Sequence, residues 1–354
     1  MILDNLTASA IQLLKDLIEI PSFSSEEELT AARIEQWFKD FKIPFQRSQN
    51  NIWATNADFD ASKPTLLLNS HHDTVKPNNG YTKDPFHAQV EDGKLFGLGS
   101  NDAGGCLVSL MATFTHFYGH KNLNYNLVIV ASAEEESSGP AGLNSMLSII
   151  PKIDVAIVGE PTLMQLAVAE KGLVVFDALV KGTPGHAAHP NDDNAIYNVI
   201  DVLQWFKDYQ FEKDSESLGP VKMTVTQIHA GKQHNAIPAG VELVVDVRVN
   251  DQYSNKDIVE ILQKQAPCDS IISRGLKLNS SSIPVEHPLV QAGIALGRDT
   301  YGSPTLSDQS VLSCPSLKLG PGDSTRSHTA NEFIYIHEIE EGVALYIQLL
   351  TKIL

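Results

Sequence analysis

The sequence predicts an α/β fold in which a mainly parallel-sheet domain is interrupted by a smaller split-βαβ domain. Three observations predict it. Short apolar runs without polar alternation are interleaved with helical patterns in the outer parts of the chain. The middle instead carries β-branched or alternating runs and two amphipathic helices in the order β-α-β-β-α-β. The length of 354 residues exceeds what one ordinary core serves, which favours two domains.

Taken in chain order, Ile11, Leu14, Leu17 and Ile18 recur at helical spacing in a first helix that stops before Pro21. Ser25-Glu26-Glu27-Glu28 reads as a capping box that opens a second helix, with Ile34, Trp37, Phe38 and Phe41 on one face. The runs Thr65 to Leu68, Leu127 to Ala131, Val155 to Val158 and Leu317 to Leu319 suit strands buried on both faces of a parallel sheet. Between the first two, Ala103 to Tyr118 is apolar nearly all round and reads as a buried helix. The middle region supplies strands at Leu173 to Val180, Val221 to Ile228 and Val241 to Val249, and a weaker one near Ile271 to Leu278. Its helices are Ala195 to Tyr209 and Asn255 to Gln265. These assignments place an inserted domain at 170–278 and join 1–169 with 279–354 into one catalytic domain.

Composition narrows the function. Hydrophobic residues make up 42% and charged residues 19%, ample for a core. The net charge of -17 repels nucleic acid and anionic membrane alike, so neither is an expected partner. Three scattered cysteines (Cys106, Cys268, Cys314) form neither a disulfide framework nor a thiolate zinc site. No stretch approaches the ~20 apolar residues that span a bilayer. The start, Met1-Ile2-Leu3-Asp4-Asn5, lacks the basic and apolar regions of a signal peptide, and the expected location is the cytoplasm.

Five segments place a metal-ligand type just beyond an apolar run or at a helix start. They are Leu66-Leu67-Leu68-Asn69-Ser70 into His71-His72-Asp73; Gly97 to Asp102; Leu127 to Val130 into Glu134-Glu135-Glu136; Val155 to Gly159 into Glu160-Pro161-Thr162; and Leu319-Gly320-Pro321-Gly322-Asp323 towards His328. Each alone has an ordinary explanation, as a surface histidine, a solvated acidic turn or a glycine turn. Together they converge, because the carboxyl ends of strands in an open parallel sheet share one crevice. Histidine and carboxylate without thiolate suit Zn²⁺, Co²⁺ or Mn²⁺. Asp73 lies two positions after His71, so on an extended chain it points the same way and can accept the imidazole N–H. His72 points to the opposite face.

The series His71-x-Asp73, Asp102 with Gly104-Gly105, Glu135-Glu136, Gly159-Glu160-Pro161-Thr162 and Ser327-His328-Thr329 resembles the co-catalytic zinc aminoacylase and deacylase family. Acetylornithine deacetylase, succinyl-diaminopimelate desuccinylase and glutamate-releasing carboxypeptidases belong to it. The resemblance implies two divalent ions per chain, zinc with cobalt or manganese as substitutes. It implies His71 and Glu160 on one ion, Glu136 and His328 on the other, and Asp102 bridging. Asp73 would orient His71, and Glu135 would be the general base, with a one-residue slip towards Glu134 and Glu135 the competing register. A cis peptide between Asp102 and Ala103 is also implied. One departure is that Ala103-Gly104-Gly105 stands where relatives often have Met-Lys-Gly.

The inserted region would be a dimerisation domain in a homodimer. Within it, Gly182-Thr183-Pro184-Gly185-His186 resembles the segment whose histidine reaches the partner subunit's site. Asn235 and Arg248 match positions that bind substrate carboxylate or intermediate. The implied reaction is hydrolysis of the amide of a small N-acylated amino acid, with N-acetylornithine in arginine biosynthesis first. N-acetylcitrulline, N-succinylornithine, succinyl-diaminopimelate or a dipeptide are alternatives. A metal-stabilised binding module without catalysis is the non-enzymatic alternative, disfavoured because a structural metal site needs no base beside it.

Overall fold

The computed structural model describes residues 3–354, so Met1 and Ile2 of the leader reading lie outside the described residues. The chain divides into two compact units. The first comprises residues up to Val168 with Ser282–Tyr301 and Ser307–Leu354; the second comprises Ala169–Ser281 with Gly302–Leu306.

The first unit is built on a mixed sheet. Its strands run across the sheet in the order Gln46–Ser48, Asn51–Thr55, Asn126–Ser132, Thr65–His71, Val155–Val158, Ser316–Lys318 and Leu166–Glu170. The four from Asn126–Ser132 to Ser316–Lys318 are mutually parallel, and antiparallel neighbours flank them. The physical reason their sequences lack alternation is visible in the packing. Leu66 and Leu68 face one hydrophobic layer and Leu67 the other, and all three are fully buried. The helices Leu3–Ile18, Gly105–Phe117 and Ile336–Thr351 pack together in the first of these layers.

Two local expectations fail. The helix Glu28–Asp40 has no side-chain cap bond. The N-cap position falls on Glu27, and Ser25, at φ 73°, lies before it, donating its hydroxyl to Glu134 Oε1 and its N–H to Glu27 Oε1. The central helix begins at Gly105 rather than Ala103 because Asp102 and Ala103 have non-helical backbone angles within the wide turn Ser100–Gly104. The Asp102–Ala103 peptide is cis, as the resemblance implies. Gly104 and Gly105 are needed here: a Cβ on Gly104 would lie 2.5 Å from the Gly99 carbonyl oxygen, and one on Gly105 2.4 Å from Ile334 Cδ1.

The second unit has an antiparallel sheet in the order Lys222–Ala230, Gly240–Val249, Gly172–Lys181, Ser270–Ser273. Helices Ala195–Asp208 and Asn255–Gln265 join Val174, Phe176, Val241, Leu243 and Val245 in a separate core. The element order is the split βαβ of the sequence. The last strand is four residues long, and a separate two-stranded antiparallel ribbon pairs Gly185–His186 with Ala236–Ile237. Among the described residues, no helix is long and apolar enough to cross a membrane.

Because Leu68 is fully enclosed in the sheet centre, Leu68→Ala should cost ~2–5 kcal/mol through lost burial and a residual cavity. Chemical unfolding that shows less than ~1 kcal/mol of loss would contradict this packing.

Candidate metal centre

The carboxyl ends of the parallel strands bring His71, Asp102, Glu135, Glu136, Glu160 and His328 together. His71 ends its strand and is 1% exposed. Its Nδ1 lies 2.9 Å from the Asp73 carbonyl oxygen, so the ring donates there and turns the Nε2 lone pair inward. Nε2 has no hydrogen-bond partner. It lies 3.3 Å from Asp102 Oδ1, 3.8 Å from Glu160 Oε1 and 3.9 Å from Glu135 Oε2, without hydrogen-bond alignment to any of them. On the other side His328, at φ 59°, places Nε2 3.0 Å from Glu136 Oε2 and 3.6 Å from Asp102 Oδ2. The two oxygens of Asp102 therefore face different histidines. Ligand atoms of His71, Asp102 and Glu136 all lie within 4.8 Å of one another.

Asp73 meets His71 through both its carbonyl and its carboxylate, and holds the glutamate turn as well. The His71 imidazole meets its carbonyl, while the carboxylate Oδ1 is 3.4 Å from Nδ1. The carboxylate accepts the N–H groups of Glu135 at 3.0 Å and Glu136 at 3.2 Å, and the Ser24 hydroxyl at 2.7 Å. It thus clamps the glutamate turn to the end of the histidine strand. Glu134, at φ 53°, uses Oε1 for Ser25 and Oε2 for the Ala141 N–H. Of the three consecutive glutamates, it is the one committed to holding the loop. His72 is buried against Thr30 Oγ1 and the Asn50 carbonyl, and burial lowers its pKa to about 4.

Electrostatics show what the cluster lacks. Burial, then the charges of neighbours such as Glu160 and Asp308, pushes the Glu135 carboxyl well above the ordinary range, although His71 pulls it down. Burial and Asp102 push Glu160 up to about 8. Burial opposes charge on Asp102, but its His71 contacts bring it below the usual value. Burial likewise opposes charge on His71, yet Asp102 and Asp73 raise it well above normal. The Glu136 hydrogen bond raises His328 to about 9. Carboxylates outnumber histidines here, two divalent ions would balance their charge, and the partnerless Nε2 of His71 is oriented to serve as a ligand. The residues present fit the metal pair.

Two buried acids beside this cluster carry no spacing signal in the sequence. Asp308 accepts the Ser132 hydroxyl at 2.6 Å, and burial raises it to about 6. Glu332, 1% exposed, accepts the N–H groups of Asn101 and Asp102, and burial followed by the Asp102 charge raises it to about 8.

The second unit holds the remaining sequence candidates. His186 pairs with Ala236 in the two-stranded ribbon, and the adjoining Ala187 N–H donates to the Asn235 carbonyl. His186 Nδ1 accepts the Ala188 N–H at 3.1 Å. Arg248 stands on the strand Gly240–Val249 and pairs with Asp246 through two hydrogen bonds of 2.9 and 3.2 Å.

Residues 67–352 match the family described as Peptidase family M20/M25/M40. The chain belongs to this family. Among curated relatives, succinyl-diaminopimelate desuccinylase of Rickettsia felis is 26% identical over 97% of this chain and 100% of its own. Acetylornithine deacetylase of Edwardsiella ictaluri is 28% identical over 92% of this chain and 93% of its own. Among solved structures, an M20 family metallo-carboxypeptidase from Sulfolobus solfataricus superposes with a TM-score of 0.75 at 16% identity, covering 97% of this chain and 98% of that one. A Bacillus subtilis protein described as a dinuclear metal-binding peptidase of the M20 family gives 0.73 at 16%, covering 98% of each. The protein is an M20 family amidohydrolase.

As ion ligands, Glu160 and His328 would have to lose their protons, so metal and protons would compete. Divalent-ion affinity should rise as pH goes from 6 towards 9, and binding should release protons into a weakly buffered solution. Calorimetry in buffers of different ionisation enthalpy measures both, and a pH-independent affinity with no proton release would contradict the electrostatic picture.

Proposed function

We propose that the enzyme removes the acyl group from a small N-acylated amino acid, N-acetylornithine first, releasing ornithine for arginine biosynthesis. The observation that carries the two-ion reading is the division of the Asp102 oxygens between His71 and His328, with Glu135 facing the same space. His71 and Glu160 would hold one ion and His328 and Glu136 the other, with Asp102 between them. Zinc suits this donor set, and cobalt or manganese would substitute. When bound, the ions would supply Lewis acidity that lowers the pKa of water and polarises the scissile carbonyl. Glu135 accepts the proton of the attacking water and returns it to the departing amine nitrogen. Asp73 keeps Glu135 in place through the backbone N–H it accepts. The named relatives support an acyl-amino-acid substrate, and the desuccinylase makes an N-succinyl amino acid the second arm of the test.

We also propose a homodimer in which His186 acts in the partner's site. The strand Lys222–Ala230 is the sheet's outermost, with one neighbour in the chain. Ile228 there is 52% exposed, and the helix Ala195–Asp208 exposes Ile196, Tyr197 and Ile200. An open edge beside exposed apolar side chains suits pairing with a second copy across a two-fold axis. His186 supports an oxyanion-donor role through its tautomer: Nδ1 accepts a backbone N–H, so the neutral ring carries its proton on Nε2. Asn235 beside it, and Arg248, would contact the substrate carboxylate.

A panel of acetylornithine, acetylcitrulline, succinylornithine and succinyl-diaminopimelate tests the substrate, and turnover of acetylornithine at or below the level of every other member would displace it. Glu135→Gln should lower kcat by ~10²–10⁴-fold while both ions stay bound, and Glu136→Gln should weaken one ion. Exchange of these two phenotypes would move the base by one residue. Mixing inactive His186→Ala and Glu135→Gln proteins under subunit exchange should restore activity, because each mixed dimer then holds one intact site. Mixing that restores nothing places His186 in its own chain's site.

A further inference from the structure

Glu332 is a buried acid for which the reaction described above has no use. It precedes the strand Phe333–Tyr335, which pairs with Lys94–Phe96. Its carbonyl accepts the Gly97 N–H at 3.0 Å. Its Oε1 accepts the N–H groups of both Asn101 and Asp102, each at 2.9 Å. Asn101 in turn exchanges two hydrogen bonds with the backbone of Asp323, tying the same turn to the loop that leads to His328.

Satisfying two backbone N–H groups does not require a charge, since an amide or hydroxyl oxygen does the same at lower desolvation cost. Among the described residues, no lysine or arginine pairs with the Glu332 carboxylate, and the acid nearest to it along its hydrogen bonds is Asp102 itself. A second carboxylate buried behind a bridging one is costly unless positive charge stands on the far side of that bridge. The metal pair would supply it.

We propose that Glu332 is a positioning residue for the metal pair: it fixes the backbone of Asp102 and places a negative charge behind the bridging carboxylate, so that its charge tightens ion binding. This rests on the two-ion reading of the site. Glu332 touches neither substrate nor ion in this role.

The test uses chelator-stripped full-length protein titrated with Co²⁺, followed by visible absorption, and with Zn²⁺, followed by calorimetry. Wild type and Glu332→Gln are compared, because the glutamine oxygen still accepts the Asn101 and Asp102 N–H groups while the charge is lost. Glu332→Gln is expected to bind at least one ion ~10–100-fold more weakly, with the far-UV circular dichroism and melting temperature of the ion-free protein unchanged. Affinity within twofold of wild type overturns the proposal and leaves Glu332 as a backbone cap. Should Glu332→Gln not fold, Glu332→Asp and Glu332→Asn replace it as a pair differing in charge. Tighter binding by Asp sustains the proposal, and equal binding overturns it. A wild-type protein that binds no ion overturns the two-ion reading itself, whereas a two-ion wild type beside an unaffected Glu332→Gln overturns this inference alone.

Discussion

Crowding of negative charge at the carboxyl edge of a parallel sheet governs the arrangement around it. Asp73, Asp102, Glu135, Glu136 and Glu160 meet at this edge with two imidazoles, and Asp308 and Glu332 lie buried beside them. Carboxylates taken out of water repel one another strongly at this density. Burial first, and neighbouring carboxylates second, raise Glu135, Glu160, Glu332 and Asp308 together. Assembling such a group costs stability, and divalent ions bound there would offset that cost.

The supporting contacts show how a flexible acidic turn is held against that repulsion. The Asp73 carboxylate accepts the N–H groups of Glu135 and Glu136, so their backbone carries part of the compensating positive dipole. Glu134 and Glu27 secure the turn from behind: Glu27 accepts the Glu134 N–H, and Glu134 accepts Ser25 and Ala141. Ser132, at the end of its strand, donates to Asp308 and accepts from Asn69, bonding the histidine strand to the strand that feeds the glutamates. His71 therefore ends a strand, and the acidic turn is fastened to that strand by the Asp73 carboxylate.

Periodicity and composition alone determined much of this protein. Unbroken apolar runs such as Leu66-Leu67-Leu68 declare strands covered on both faces, because burial on two sides removes any reason for alternation. The β-α-β-β-α-β middle region, and the placing of ligand types directly after the apolar runs, are equally local signals. Motif order made the resemblance legible because it survives where overall identity has fallen to 26–28%. What only the tertiary structure decided depends on contacts between residues far apart in the chain. The Ser25 hydroxyl finds its partner in Glu134, 109 positions away. Asp73 adds its carbonyl to the His71 contact and extends its carboxylate to the glutamate turn, contacts that extended-strand geometry does not reveal. Glu332 lies 230 positions from the Asp102 N–H it accepts, and no spacing rule relates two such positions. Side-chain direction along one strand is set by its own backbone, whereas the partner of a buried charge is set by whichever distant segment the fold delivers to it.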